Sequence, residues 1–290
     1  MAKLSVIIPS KTEVFLKQTT EDVLKNATGS VEVIVGLDGY EDIEKVNDSR
    51  VTYFSIPSSP SNQKRQLVNK AVEMAKGEYV MSLDAHCMVA KGFDEQLIKD
   101  HQSNWVQIPQ RRRLDAESWC EQDQCGRPPI DYEYLMWRPV LQKDGFHGYK
   151  WDERTLTRKD IIIDDIMTIQ GSAWFMSKKW FERCGFMQIK GYTGWGQEGE
   201  EISFTTWLTG GRVVTNKNTW YAHLHKGRTY GRMYHLNKPE TLESYKYSYD
   251  FWINNRPLKN RIHNFDWLIE KFWPIPNWPS DWREKIGYKD

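Results

Sequence analysis

Nothing in this sequence suggests a membrane protein, a disulfide-stapled scaffold or a chain whose overall charge draws nucleic acid or membrane. The N-terminus, Met1-Ala2-Lys3-Leu4-Ser5-Val6-Ile7-Ile8-Pro9, has too few apolar residues for a signal-peptide core or a spanning helix, and the expected location is therefore cytoplasmic. Cysteine is scarce: Cys87, Cys120, Cys125 and Cys184 stand beside no leader and form no second CxxC-type pair, so they read as reduced thiols, although Cys120 and Cys125 flank a loop that would allow a bridge under oxidation. Without secretion, the Asn26-Ala27-Thr28 and Asn47-Asp48-Ser49 glycosylation patterns carry no meaning. Charge of one sign is also missing. The 40 Lys and Arg against 39 Asp and Glu leave a net +1, so any polyanion would have to be met by a local patch. Internal repeats and low-complexity tracts are absent.

What remains is an ordinary globular composition, with 39% hydrophobic and 27% charged residues, in a chain of 290 residues, enough for one large α/β domain with an appendage. The unusual feature is 14 tryptophans. Trp252, Trp267, Trp273, Trp278 and Trp282 fall near the C-terminus beside Pro274, Pro276 and Pro279, a pattern for an aromatic, proline-punctuated strap.

Apolar runs at 4–8, 31–37, 51–56 and 79–83 read as strands buried on both faces, and helical stripes at 13–26 and 61–75 separate them. Strands alternating with helices predict a mostly parallel sheet with helices on both faces. A further strand is expected at 105–109, followed by a long irregular stretch over 110–165. Regular structure is expected again at 169–176, then helices at 178–184 and 198–208, then two short strands at 212–215 and 219–224.

In open parallel sheets the ligand binds beyond the carboxyl ends of the strands. Three polar features fall there: Asp38, Asp84-Ala85-His86 and His223-Leu224-His225. An Asp and a His two residues apart on an extended segment point the same way and can share one divalent cation, with a distant histidine completing the set. Oxygen plus imidazole suits Mn²⁺, with Mg²⁺ as the alternative, and such an ion neutralises a departing diphosphate. A bare DxH fits a capped turn equally well, and alternation places His223 and His225 on one face, so spacing does not choose between them. Lys226 and Arg228, just beyond, are placed to face a diphosphate. Of the two basic clusters elsewhere, Lys64-Arg65 opens a helix and Arg111-Arg112-Arg113 leaves a strand, positions that fit solvated surface or a grip on an anion.

Ala75-Lys76-Gly77-Glu78-Tyr79-Val80-Met81-Ser82-Leu83-Asp84-Ala85-His86 resembles the AxGexvxfLDxH segment of GT-A glycosyltransferases, in particular the polypeptide N-acetylgalactosaminyltransferases (family 2 and family 27 type). Gly171-Ser172-Ala173-Trp174-Phe175-Met176-Ser177-Lys178-Lys179-Trp180-Phe181 is similar to their GGLFxIxKxxF, and Trp195-Gly196-Gln197-Glu198-Gly199-Glu200-Glu201-Ile202-Ser203-Phe204 to their WGGENLEISF, at compatible spacing. The resemblance covers roughly residues 3–228. It implies a GT-A fold, Rossmann-like and α/β, over 1–228, leaving 229–290 as an aromatic and proline-rich extension packed on the catalytic domain. It further implies a nucleotide-sugar donor, taken as a UDP-sugar, a metal held by Asp84, His86 and His223, and Asp38 against the nucleotide base. Because Trp220-Tyr221-Ala222-His223 stands where that family has its third ligand, the resemblance favours His223, with His225 as the alternative.

The residues expected to contact the donor are Pro9, Thr12, Glu13, Asp38, Arg65, Asp84, Ala85, Gly171, Ser172, Trp195, Lys226 and Arg228; Glu198 and Glu200 are the candidate catalytic carboxylates. WGGEN has become Trp195-Gly196-Gln197-Glu198-Gly199. Inverting relatives place their carboxylate where Gly199 stands, so its absence here favours retention of anomeric configuration. Acidic residues in a first helical turn also complement the macrodipole, which would explain Glu201 without catalysis.

The expected activity is therefore metal-dependent transfer of a hexosyl, pentosyl or N-acetylhexosaminyl group from a UDP-sugar to a hydroxyl of a soluble glycan or small molecule. An alternative acceptor is a hydroxymethylated base in DNA, for which Arg111, Arg112, Arg113, Lys150, Arg154, Arg158 and Lys159 interleave with Tyr132, Tyr134, Trp137, Tyr149 and Trp151. An alternative of another class is a non-catalytic sugar-binding module, which would not need Asp84-Ala85-His86 at a strand end. A nucleotidyltransferase would carry a glycine-rich phosphate loop after the first strand, and Pro9-Ser10-Lys11-Thr12-Glu13 is not one.

Overall fold

A computed structural model describes residues 3–41, 43–122, 128–138, 144–232 and 234–287, with the side chain of Arg228 excepted. The strands are β1 Leu4–Ser10, β2 Val31–Asp38, β3 Val51–Ile56, β4 Tyr79–Leu83, β5 Cys87–Val89, β6 Trp105–Asp115, β7 Cys120–Glu121, β8 Glu133–Leu135, β9 Gly148–Lys150, β10 Ile163–Asp165, β11 Ala173–Ser177 and β12 Arg212–His223. The helices are α1 Leu16–Asn26, α2 Lys64–Met74, α3 Phe93–Lys99, α4 Asp152–Thr157, α5 Lys178–Cys184, α6 Glu198–Leu208, α7 Gly227–Tyr230, α8 Lys238–Ile253, α9 Phe265–Lys271 and α10 Trp282–Lys285.

One sheet runs in the order β10-β12-β6-β11-β4-β1-β2-β3, with β5 paired to β12 and β7 to β6. The pairs β1–β2, β1–β4, β2–β3 and β6–β12 are parallel, and the aliphatic β1, β2 and β4 are nearly fully buried, as parallel strands covered by helices are. Strand β11 is inserted antiparallel between β4 and β6, so its first residue, Ala173, lies beside Leu83, the last residue of β4. The loop 170–172 thereby reaches the same sheet edge as Asp84, whose N–H donates to the Ser172 carbonyl at 2.8 Å.

Three expectations need correction. Residues 110–115 continue β6 instead of opening the irregular stretch, because β12 pairs them through Arg113 and β7 pairs Leu114 and Asp115. The two short late strands are one strand, β12, with a register shift between Asn216 and Trp220. The strand expected from 169 begins only at Ala173. Non-local pairing decides each case, and local apolar pattern cannot report it.

The segment after residue 228 shares the hydrophobic core of the sheet: Trp252, Phe265, Trp278 and Trp282 belong to the same buried cluster as Val6, Met81 and Phe175. Its polar ends are matched too. Trp252 Nε1 donates to Tyr192 Oη at 3.1 Å, Trp278 Nε1 to the Leu135 carbonyl at 2.6 Å, and the Gly194 N–H to Ser244 Oγ at 2.7 Å. Among the described residues no helix is long and apolar enough to cross a membrane.

Candidate functional site

At the carboxyl edge of β1, β2, β4 and β12 lies a cleft of about 620 Å³. Three backbone connections converge on it. The turn Asp84-Ala85-His86 leaves β4, the antiparallel register of β5 with β12 sets Cys87 opposite His223, and the Leu224 N–H donates to the His86 carbonyl at 3.1 Å. Asp84, His86 and His223 consequently face one point, with their ligating atoms all within 4.8 Å of one another.

The two imidazole Nε2 atoms are 3.0 Å apart, and His223 Nε2 is 3.6 Å from Asp84 Oδ2. Two ligands at about 2.1 Å from a cation and at right angles would lie about 3.0 Å apart, so this donor set fits a divalent ion without rearrangement. Glu13 Oε2 lies 3.1 Å from His86 Nδ1, the carboxylate-behind-histidine arrangement that turns the other ring nitrogen toward a metal. Lys226 in turn pairs with Glu13.

The electrostatics suit the same purpose. Burial pushes the His223 imidazolium down to about 3, against the opposing Asp84, so the ring is neutral and its lone pair available. Burial alone would raise the Asp84 carboxyl, but the Lys64 ammonium, His223 and His86 hold it well below the usual carboxylate range. Burial would likewise raise Glu13, and His86 and Lys226 reverse the effect.

Of the residues expected to meet the donor, Pro9, Glu13, Asp38, Asp84, Ala85, Gly171, Ser172, Trp195 and Lys226 line the cleft, as do Glu198 and the three metal-site residues. Asp38 is held at its rim by Gln63 Nε2 at 2.7 Å and Lys11 Nζ at 3.0 Å. His225 also lines the cleft but is exposed and lies outside the Asp84–His86–His223 cluster.

Thr12, Arg65 and Glu200 do not line it. Thr12 is an exposed turn residue whose hydroxyl donates to the Lys11 carbonyl. Arg65 is buried behind the cleft, paired with Glu201 and stacked 4.0 Å over the Tyr192 ring. It is Lys64, one residue earlier and so about 100° around the helix, that enters the cleft. Glu200 faces the β8–β9 hairpin and accepts from the Gly148 N–H at 3.2 Å, and burial, with Glu198 and Glu133 adding to it, pushes its carboxyl up to about 8. The side chain of Arg228, like Cys125, lies outside the described residues.

Glu198 opens α6 and is 8% exposed; its Oε1 has no hydrogen-bond partner among the described residues. The helix start is fixed by Gln197, in the left-handed region at φ 65°, whose amide clamps the Phe146 backbone through an N–H donated at 2.7 Å and one accepted at 3.2 Å. Gly199 follows, and a Cβ there would sit 2.0 Å from the Ile169 carbonyl oxygen. No side chain, and so no carboxylate, fits that position.

Sequence reasoning did not single out Lys11, Gln170 or Arg232, which also line the cleft; Tyr234, expected only as one of the extension's aromatics packing back on the domain, lines it too. Arg232, 4.7 Å over the Trp195 ring, and Tyr234 lie past the last recognisable motif, where no local signal exists. Several basic and aromatic residues of the long insert are engaged within the protein, whereas Tyr149 is 48% exposed. Arg111 pairs with Glu133 at 2.8 Å, Arg112 with Glu121 at 2.7 Å, and Arg158 with Asp164, while Tyr132, Tyr134 and Trp151 are buried.

The chain matches the family model described as glycosyl transferase family 2 over residues 5–185. It is 25% identical to polypeptide N-acetylgalactosaminyltransferase 12 of Mus musculus over 236 residues, covering 77% of this chain and 40% of that protein. With polypeptide N-acetylgalactosaminyltransferase 4 of Mus musculus it shares 25% identity over 229 residues, covering 71% and 39%. The chain thus spans about two fifths of the length of these curated relatives. The solved structure of GalNAc-T7 with UDP, GalNAc and Mn²⁺ superposes with a TM-score of 0.69 at 17% identity, covering 94% of this chain and 56% of that one.

Proposed function

Since the chain belongs to glycosyl transferase family 2, we propose that it transfers a sugar from a UDP-sugar to an acceptor hydroxyl, with a divalent cation, Mn²⁺ by preference, held by Asp84, His86 and His223. The observation that carries this reading is the convergence of those three side chains at the carboxyl edge of the sheet, in a cleft that also contains Asp38 and Glu198. The solved relative with UDP, GalNAc and Mn²⁺ has the same fold and supports the choice of donor and ion. The chemistry such an ion supplies is charge neutralisation of the departing diphosphate.

The chain's own residues do the rest. Asp38 accepts from the imide of the nucleotide base. Gly171 and Ser172 let the backbone approach the sugar, and Lys226 faces the diphosphate. Glu198, buried with one oxygen unpartnered, is the carboxylate placed beside the reacting carbon or the acceptor hydroxyl. The acceptor oxygen forms a bond to the anomeric carbon as the carbon–oxygen bond to the diphosphate breaks, and the acceptor's hydroxyl proton passes to the departing diphosphate, which leaves as UDP. With no room for a carboxylate at position 199, transfer proceeds with retention. Glu200, behind the hairpin, takes no part. The acceptor is a soluble glycan or small molecule, and the enzyme works in the cytoplasm, where the buried thiols of Cys87 and Cys184 stay reduced.

The test is release of nucleotide from UDP-, GDP- and CDP-sugars, with Mn²⁺ present or chelated. The reading expects turnover of a UDP-sugar that stops on chelation and in Asp84→Ala. Failure to bind any nucleotide sugar under either condition would reject it and return the weight to a sugar-binding module.

A further inference from the structure

The first turn of α2 is tied to the cleft by three successive residues. Asn62 Oδ1 accepts from the Lys64 N–H at 3.1 Å, Gln63 Nε2 donates to Asp38 at 2.7 Å, and Lys64 Nζ donates to Asp84 Oδ1 at 2.7 Å. Behind them Arg65, buried against Glu201 and Tyr192, stops the turn from rotating. Lys64 is therefore held, and its ammonium also donates to the Gly171 carbonyl at 3.0 Å. It bridges the metal-side carboxylate to the loop assigned to the sugar, and the Glu198 carboxylate acts on it from the same cleft.

An ammonium has three N–H donors, and the described residues take two of them. The third remains for a ligand. The cleft wall carries Asp84, Glu13, Asp38 and Glu198, so a nucleotide diphosphate entering it needs cationic partners. Lys226 is shared with Glu13 and Lys11 with Asp38. Lys64 is the cation nearest the metal-site carboxylate.

We propose that Lys64 is a second cation of the donor site: it pairs with Asp84 until the divalent ion takes that carboxylate, and then contacts the donor's diphosphate. The assignment rests on the UDP-sugar reading above. It makes Lys64, and not Arg65, the functional member of the Lys64-Arg65 pair.

Two binding measurements on this 290-residue chain test it, on the native protein, Lys64→Met and Lys64→Arg, with thermal melts to confirm that each variant folds. Mn²⁺ alone, followed by the electron paramagnetic signal of the free ion, should bind Lys64→Met more tightly, by about five-fold or more, because a like charge beside the site has gone. UDP, measured calorimetrically at saturating Mn²⁺, should bind Lys64→Met about ten-fold or more weakly, the loss expected for a charge-assisted hydrogen bond, and Lys64→Arg should restore most of it. A purely structural lysine would not move the two affinities in opposite directions. Unchanged or lower Mn²⁺ affinity, or unchanged UDP affinity, in Lys64→Met overturns the proposal. If the native chain binds Mn²⁺ but no UDP, the donor reading fails and the Lys64 proposal falls with its diphosphate half; if it binds no Mn²⁺, both fall.

Discussion

Gly199→Ala separates the packing account of α6 from helix propensity, because the two predict opposite signs. Glycine inside a helix is worth roughly 0.5–1 kcal/mol less than alanine, so propensity alone predicts stabilisation. The structure predicts the reverse. A Cβ at 199 would stand 2.0 Å from the Ile169 carbonyl oxygen and 3.0 Å from the Gly171 nitrogen, where contacts under 3.0 Å force a shift. Ile169 is 1% exposed and has no space to retreat into. Overpacking of this kind costs about 1–3 kcal/mol, and backbone on the receiving side puts it at the upper end, leaving a net loss of about 2 kcal/mol after the propensity gain. With an unfolding entropy of roughly 2.1 cal/mol/K per residue, a chain of 290 residues should melt about 3 °C lower. The displaced loop carries Gly171 and Ser172, so UDP-sugar turnover should fall as well, by about 100-fold for a displacement near 1 Å. Thermal melting and initial rates on purified protein measure both. A variant that melts higher than the native chain with undiminished turnover would refute the packing argument.

Arg65→Met should cost about 3–5 kcal/mol by leaving Glu201 buried without its partner, read by urea denaturation, while UDP affinity falls only as the folded fraction does. Removing the carboxylate behind His86 with Glu13→Ala should weaken Mn²⁺ binding about 10–100-fold, as loss of a carboxylate supporting a ligand histidine does; unchanged affinity would mean that Glu13 does not orient the ring. Glu200 is raised from its ordinary 4.5 to about 8, so its contribution to stability is fully present below about pH 4.5 and is lost as pH rises through about 8. Glu200→Gln should therefore flatten the decline between pH 5 and pH 8 by roughly 3 kcal/mol, with little change in kcat. Parallel stability curves for the two proteins would contradict this.

The parts of the site that were legible in the sequence share one property: they sit where a strand of strong apolar pattern ends. Asp38 and Asp84 stand at the ends of β2 and β4, whose residues are mostly apolar, so their placement at the sheet edge follows from strand direction. His223 needed more, because the choice over His225 depends on the β5–β12 register, which no local pattern encodes. Lys64 and Arg65 show the limit most clearly. The two are chemically alike and adjacent, and only the rotational setting of α2 against β1 and α6 sends one into the cleft and the other behind it. The length of β6 was missed for a related reason: Arg111, Arg112 and Arg113 look like loop residues until β12 and the Glu133 and Glu121 carboxylates are in place around them. At Gly199 the missing carboxylate was visible, whereas its cause, the Ile169 carbonyl, lies thirty residues away in the chain.

The most direct measurement is anomalous diffraction at the manganese edge from crystals grown with Mn²⁺ and UDP. The account predicts one peak bound by Asp84, His86 and His223, with the diphosphate completing its coordination and Asp38 beside the uracil, and no such peak in Asp84→Ala. A peak elsewhere, or UDP bound with those three side chains uncoordinated, would contradict it.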